Sequence, residues 1–301
     1  MSTAPVPPAI ELAGISKRFG AVAANRDVSL AVAVGSIHGI VGENGAGKST
    51  LMSILYGFYE ADAGEIRVAG KPRRIRSPAD AIAAGIGMVH QHFMLVDTLS
   101  VVENVVLGAE GGARLKGGLA KARAELARLS REYGLAIEPD AIVGELSVGL
   151  QQRVEILKAL YRGAEVLILD EPTAVLTPAE ADQLFALLRA LKAQGKTVIL
   201  ITHKLREIMD VTDRVSVMRR GEMVAHVATV ETSPPALAEA MVGRRVLLRV
   251  EKEPRERGAP VLEAVGLSCR DGRGTETLKD VNLTLHEGEI VGIAGVAGNG
   301  Q

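Results

Sequence analysis

Ile37-His38-Gly39-Ile40-Val41-Gly42-Glu43-Asn44-Gly45-Ala46-Gly47-Lys48-Ser49-Thr50 is the stretch on which the fold turns. A mostly apolar run leads straight into Gly42, and the eight residues Gly42 to Ser49 fit GxxxxGK[ST]. An apolar pattern of helical period follows. Strand, glycine loop and helix in that order form one unit of an α/β fold. The glycines let the backbone curl until its N–H groups converge on phosphate oxygens, while the following helix points its positive end at them. Lys48 then reaches the β- and γ-phosphates of a nucleotide, and Ser49 offers its hydroxyl to Mg²⁺. Gly42, Asn44, Gly45, Gly47 and Thr50 complete the cradle. A tight glycine turn with no ligand is the alternative, and the flanking strand and helix weigh against it.

Two further apolar runs, Val166 to Leu169 and Val198 to Ile201, are each followed by a helical pattern. That alternation predicts a parallel sheet with helices on both faces. The first run ends abruptly in Asp170 and Glu171, which places two carboxylates at the carboxyl edge of the sheet, where open α/β folds hold ligands. Asp170 suits the magnesium site. Glu171 suits the orienting or deprotonating of an attacking water, since phosphoryl transfer needs mostly positioning and charge stabilisation. On their own the two carboxylates are equally compatible with a helix cap. Between the run Ile37 to Val41 and the run Val166 to Leu169, residues from about 97 to 161 read as helical, interrupted by a glycine-rich loop near Gly111 to Gly118, and this stretch is expected as a helical subdomain inserted into the α/β core.

Composition narrows the partners. Of 301 residues, 47% are hydrophobic and none is Trp, so the core must be aliphatic. A formal net charge of −1 gives the whole chain no attraction to nucleic acid or anionic lipid. The run Lys71-Pro72-Arg73-Arg74-Ile75-Arg76 has no interleaved aromatics and reads as a solvated turn rather than a nucleic-acid patch. Cys269 is the one cysteine, which excludes an internal disulfide and points to a reducing compartment. No stretch reaches about 18 uninterrupted apolar residues and Met1 to Ile10 lacks a signal-peptide core, so a membrane role must run through other subunits.

The order of motifs resembles that of ATP-binding-cassette ATPases along the whole chain. Leu146-Ser147-Val148-Gly149-Leu150-Gln151-Gln152-Arg153 stands where that family has its signature, with Val148 and Leu150 replacing the usual Gly and Gln. The resemblance implies that Ser147 and Gly149 contact the γ-phosphate of an ATP held by an opposing cassette. As residues alone they suit an ordinary helix cap just as well. It also implies that Gln91 senses magnesium near the membrane subunits, that His203 is the switch histidine on the γ-phosphate, and that Phe19 stacks on adenine, although a core Phe19 is as compatible with the sequence. His38, His90, His92 and His226 have no such support and read as structural. Thr177 departs from the family's usual Asp. The segments around His90 to Val96, the signature and Asp170-Glu171-Pro172-Thr173 are similar to ATPases of nucleoside and simple-sugar importers. Phe93 to Val96 suit either core packing or the surface that receives a helix of a membrane subunit.

Internal repetition organises the rest. Leu262 to Ser268 echoes Glu11 to Ser16, Asp280-Val281-Asn282-Leu283 echoes Asp27-Val28-Ser29-Leu30, and Gly295, Gly298 and Gly300 echo Gly42, Gly45 and Gly47, with Gln301 at the place of Lys48. The expected plan is therefore a first cassette over 10–243, a linker over 244–260, and the β-rich start of a second, truncated cassette over 261–301. The resemblance further implies ATP and Mg²⁺ as ligands, membrane permease subunits and a second cassette in cis or in trans as partners, a substrate-binding lipoprotein acting indirectly, and a place at the cytoplasmic face of the membrane. A soluble repair or translation ATPase and a non-hydrolysing remnant are the rival readings.

Overall fold

The computed structural model describes residues 6–90, 93–108, 115–244, 257–270 and 274–295. The chain divides into two compact units, Met1–Val246 and Leu247–Gln301.

The first unit opens with the antiparallel strands β1 (Ile10–Phe19) and β2 (Val22–Val32), followed by β3 (Ile37–Val41) and helix α1 (Lys48–Leu55). Strands β4 (Ala63–Val68) and β5 (Lys71–Arg73), helix α2 (Pro78–Ala83) and β6 (Ile86–Val89) come next. Three helices then succeed one another: α3 (Val101–Val106), α4 (Leu115–Tyr133) and α5 (Val148–Tyr161). The chain returns through β7 (Val166–Asp170), α6 (Pro178–Ala193), β8 (Thr197–Ile201), α7 (Leu205–Val211), the hairpin β9 (Arg214–Arg219) and β10 (Glu222–Ala228), and α8 (Pro234–Val242).

A four-stranded antiparallel sheet runs in the order β2-β1-β4-β5, and a six-stranded sheet in the order β10-β9-β3-β8-β7-β6. Within the second, β9, β3, β8, β7 and β6 are parallel and β10 closes one edge antiparallel. Every residue of β3, β7 and β8 is buried, as a parallel sheet covered on both faces requires. The registers Ile40↔Ile201 and Asp170↔Ile201 end β3, β7 and β8 at one level. The loops that follow these three strands therefore leave the sheet side by side.

Helices α3, α4 and α5 pack on one another, and α5 also lies on β6. Glycine Gly117 and Gly118 fall inside α4 rather than in a loop, a difference from the expected glycine-rich break. Ala122, Leu126 and Leu129 of the same helix are buried at helical spacing, and their packing outweighs a propensity penalty of about 1 kcal/mol per glycine. Residues 109–114 lie outside the described residues. The basic run forms the exposed edge strand β5 and the turn after it, where Arg74 and Arg76 both meet Glu60.

One buried polar chain crosses the central sheet. His38 Nε2 lies 2.7 Å from Ser216 Oγ, which is itself 2.8 Å from His226 Nδ1. Burial, reinforced by His226 and Arg214, pushes the His38 imidazole from 6.5 down to about 4. The unfolded chain thus binds the extra proton first. Stability contributed by neutral His38 is complete above its unfolded value of 6.5 and is withdrawn as pH falls towards 4, by up to about 3 kcal/mol. Urea midpoints taken at about pH 7 and about pH 5 should show this loss, and His38→Gln should shrink it; an unchanged slope in that variant would assign the effect to other groups.

The second unit contains β11 (Pro260–Arg270) and β12 (Glu276–His286), paired antiparallel. It repeats local geometry of β1 and β2. Gly14 and Gly266 have φ of 66° and 60°, and Asp27 and Asp280 have φ of 48° and 49°. Gly14 N donates to Ser29 Oγ at 3.1 Å as Gly266 N donates to Asn282 Oδ1 at 2.8 Å. Asp27 N donates to Ser16 Oγ as Asp280 N donates to Ser268 Oγ, both at 3.0 Å.

Candidate functional site

The glycine loop is built as tightly as its sequence demands. A Cβ on Gly47 would sit 2.3 Å from the Ala24 carbonyl oxygen, and Gly47 holds φ at 101° as it caps α1; a Cβ on Gly42 would sit 2.4 Å from the Met218 carbonyl oxygen. Neither position admits a side chain without moving backbone. Asn25 Nδ2 donates to Gly47 O at 3.2 Å and keeps the loop against β2. Lys48 begins the helix and folds its ammonium back over the loop, donating to Gly42 O at 2.8 Å and Glu43 O at 3.0 Å. The group is buried, and that burial lowers its pKa, while the nearby Glu171 and Asp170 carboxylates oppose the shift.

Asp170 ends β7 with its side chain buried and Oδ1 without a hydrogen-bond partner. Burial raises its pKa and neighbouring Glu171 adds to the rise; the Ser49 hydroxyl and Lys48 pull it down. Lys48 and Asp170 are thus both displaced towards their neutral forms, each for want of solvation. A phosphate beside Lys48 and a cation between Ser49 and Asp170 would supply what both lack. No group of three or more metal-ligating side chains occurs among the described residues. That donor set fits Mg²⁺, which keeps waters and takes much of its coordination from substrate phosphates.

Glu171 follows with φ at 48°, a left-handed conformation that a glutamate adopts at a cost. Its backbone N–H bonds Ile201 O at 2.9 Å, which fixes the bend to β8. The bend aims Oε1 at His203 Nδ1, 2.9 Å away, and leaves Oε2 buried and unpartnered. The pairing of these two residues across 32 positions of sequence has no local signal; it follows from β7 and β8 being neighbours. Gln152 was equally invisible as a site residue, yet its Nε2 donates to Pro172 O at 2.8 Å and steadies the turn just past Glu171.

Asn44, Gly45, Gly47, Lys48, Ser49, Thr50, Glu171 and His203 line one cleft of about 620 Å³, whereas Gly42 and Asp170 are not among its lining residues. Phe19 forms its outer wall. The residue is 43% exposed, its ring edge-on to Tyr59 at 5.1 Å between centroids, with Lys17 Nζ 5.6 Å from the ring centre. It therefore stands in the cleft and not in the core, with apolar surface available to a flat ring.

Ser147 and Gly149 are not among the residues lining this cleft. Ser147 caps α5, its Oγ accepting from Leu150 N at 3.4 Å. Gly149 lies against the Glu180 carboxylate, so close that a Cβ would approach Oε1 to 2.8 Å. Glu180 in turn closes a capping box with Thr177 at the start of α6, which gives Thr177 a local structural use. Gln91 lies outside the described residues. Just beyond it, Met94 N donates to the buried Glu155 carboxylate at 2.9 Å and Met94 O accepts from Lys158 Nζ at 2.8 Å. Leu95 packs on the core, as the first use considered for this segment requires, while Met94 and Val96 are exposed.

Residues 25–174 match the profile of the ABC transporter family. A glucose import ATP-binding protein of Haloferax volcanii is 51% identical over 98% of this chain and 58% of its own length. A nucleoside import ATP-binding protein of Lactococcus lactis subsp. cremoris is 50% identical over 97% of this chain and 58% of its own. A ribose import ATP-binding protein of Burkholderia thailandensis is 47% identical over 97% and 57%. The chain thus spans somewhat more than half the length of these relatives. Among solved structures, a nucleotide-free ATP-binding cassette from an ABC transporter superposes with a TM-score of 0.67 at 27% identity, covering 76% of this chain and 97% of that one. The ADP conformation of the cassette MJ1267 gives 0.68 at 28%, covering 79% and 99%.

Proposed function

The chain belongs to the ABC transporter family as an ATP-binding cassette, and from that premise we propose that it binds and hydrolyses MgATP to power an importer of nucleosides or related simple sugars. The observation that carries this reading is the meeting of Lys48, Glu171 and His203 in one cleft. In it the loop amides and Lys48 hold the phosphates, Phe19 receives the adenine, and Glu171, braced by His203, orients the attacking water and takes its proton. Ser49 and Asp170 would hold Mg²⁺, which when bound would supply charge neutralisation for the phosphates. Gln91 is assigned to the same centre by family resemblance.

The cleft is half a site on this reading. Ser147 and Gly149 present the start of α5 to an ATP bound by a second cassette, which in turn serves the ATP on Lys48. The repeat of β1 and β2 geometry in β11 and β12 supports a plan of a first cassette over 10–243 and the start of another from about 261. Among the described residues no helix is long and apolar enough to cross a membrane, so attachment to the membrane's cytoplasmic face falls to permease subunits. Met94 and Val96, which are exposed, suit that contact. A binding lipoprotein would act through the permease alone. The names of the relatives favour import over repair or translation.

The test is ATP hydrolysis by the 301-residue chain across about a hundredfold range of concentration, then with co-purified permease and candidate nucleosides or sugars. A two-cassette site predicts activity that rises more than linearly with concentration, or on addition of permease, and that falls by roughly tenfold in Ser147→Ala, the loss of about one hydrogen bond to a charged group. Brisk linear hydrolysis indifferent to Ser147 would overturn the divided site.

A further inference from the structure

We propose that Glu207 is a positioning residue that ties the segment carrying Glu171 to the segment carrying His203, so that both reach the reacting phosphate as one unit. The proposal rests on the functional reading above for its consequence, and on geometry for the tie itself.

Glu207 lies in the first turn of α7 and is 7% exposed. One carboxylate oxygen accepts from Thr173 Oγ1, two residues past Glu171. The other accepts from Thr202 Oγ1 at 3.1 Å, one residue before His203. Thr173 and Thr202 are 3% and 0% exposed, so water does not compete for these bonds. Lys204 doubles the link. Its N–H bonds Thr202 Oγ1 at 3.0 Å, and its ammonium reaches Thr173 O at 2.9 Å, Thr173 Oγ1 at 3.0 Å and Glu207 Oε1 at 3.3 Å. The carboxylate is therefore paired, hydrogen-bonded on both oxygens and enclosed.

Such a network is rigid because every member is satisfied, and each deletion strands a buried partner. A single carboxylate bridging two strand ends fits a need to hold the 2.9 Å contact of His203 with Glu171, because β7 and β8 control only where the loops start. Glu171 is also held in a left-handed backbone conformation, which persists only where its surroundings over-determine it. A carboxylate that serves only to begin α7 would need neither threonine.

Hydrogen exchange on the full 301-residue chain tests the tie without ATP. Glu207→Ala should speed amide exchange on the order of tenfold in both 171–177 and 202–204, leaving β7 and β8 protected. Thr202→Val, which keeps the carboxylate, should loosen 202–204 alone, and Glu207→Gln should restore part of the protection. Faster exchange confined to α7 would overturn the proposal. In hydrolysis, Glu207→Ala should lower kcat on the order of tenfold with MgATP affinity unchanged, and should cost less in a His203→Ala background than in the parent. Losses that multiply in the double variant would mean that Glu207 acts independently. A parent chain that binds no MgATP would sink the reading of the cleft, while the exchange experiment would still decide the tie.

Discussion

Lys48→Ala is expected to lower MgATP affinity by on the order of a hundredfold or more, since hydrogen bonds to charged groups contribute about 1.5–3 kcal/mol each and on the proposed reading this ammonium would serve two phosphates. Lys48 lines the cleft from within the glycine loop itself, where its ammonium already spans the Gly42 and Glu43 carbonyls. The variant loses more than an attraction. Asp170 and Glu171 flank the ammonium electrostatically, and without it their charge repels the incoming phosphates. The buried desolvated position makes the contact count for more than a surface lysine would. Titration calorimetry with MgATP measures the change directly, with circular dichroism to show that α1 still forms. Unchanged affinity in a folded variant would move the phosphate site elsewhere.

Glu171→Gln should leave MgATP binding intact and slow hydrolysis by about 10²–10⁴-fold, the usual contribution of a positioned general base. The amide has the carboxylate's shape and can keep its contact with His203. It cannot accept the water's proton as a carboxylate can. Removing the negative charge should, if anything, favour the anionic substrate, so affinity is expected to hold or rise. Phosphate release in a single turnover separates the two effects, because binding is complete before the chemistry begins. Equal turnover by variant and parent would show that another group handles the water. Taken with Lys48→Ala, this variant separates holding the nucleotide from cleaving it, and the two losses should appear in different kinetic constants.

Much of this protein is written locally. The run from Ile37 to Val41 followed by the glycine loop and Lys48 specifies strand, loop and helix through contacts between near neighbours, because only glycine tolerates the backbone positions that bring N–H groups together. Asp170 and Glu171 at the end of an apolar strand are legible for the same reason, since a buried strand must surrender charged residues at its exit. The aliphatic core and the echo of β1 and β2 in β11 and β12 are also readable along the chain. What the sequence left open depended on distant segments meeting. Whether Phe19 belongs to a core or a cleft was settled by how β1 and β2 flank the glycine loop. The expected loop at Gly117 and Gly118 became helix because packing of Ala122, Leu126 and Leu129 overrode local propensity. The contact of Glu171 with His203, and the bridge of Glu207 to Thr173 and Thr202, exist only because β7 and β8 lie in register at one edge of the sheet. No periodicity or motif carries that information, since it arises from the pairing of strands far apart in the chain.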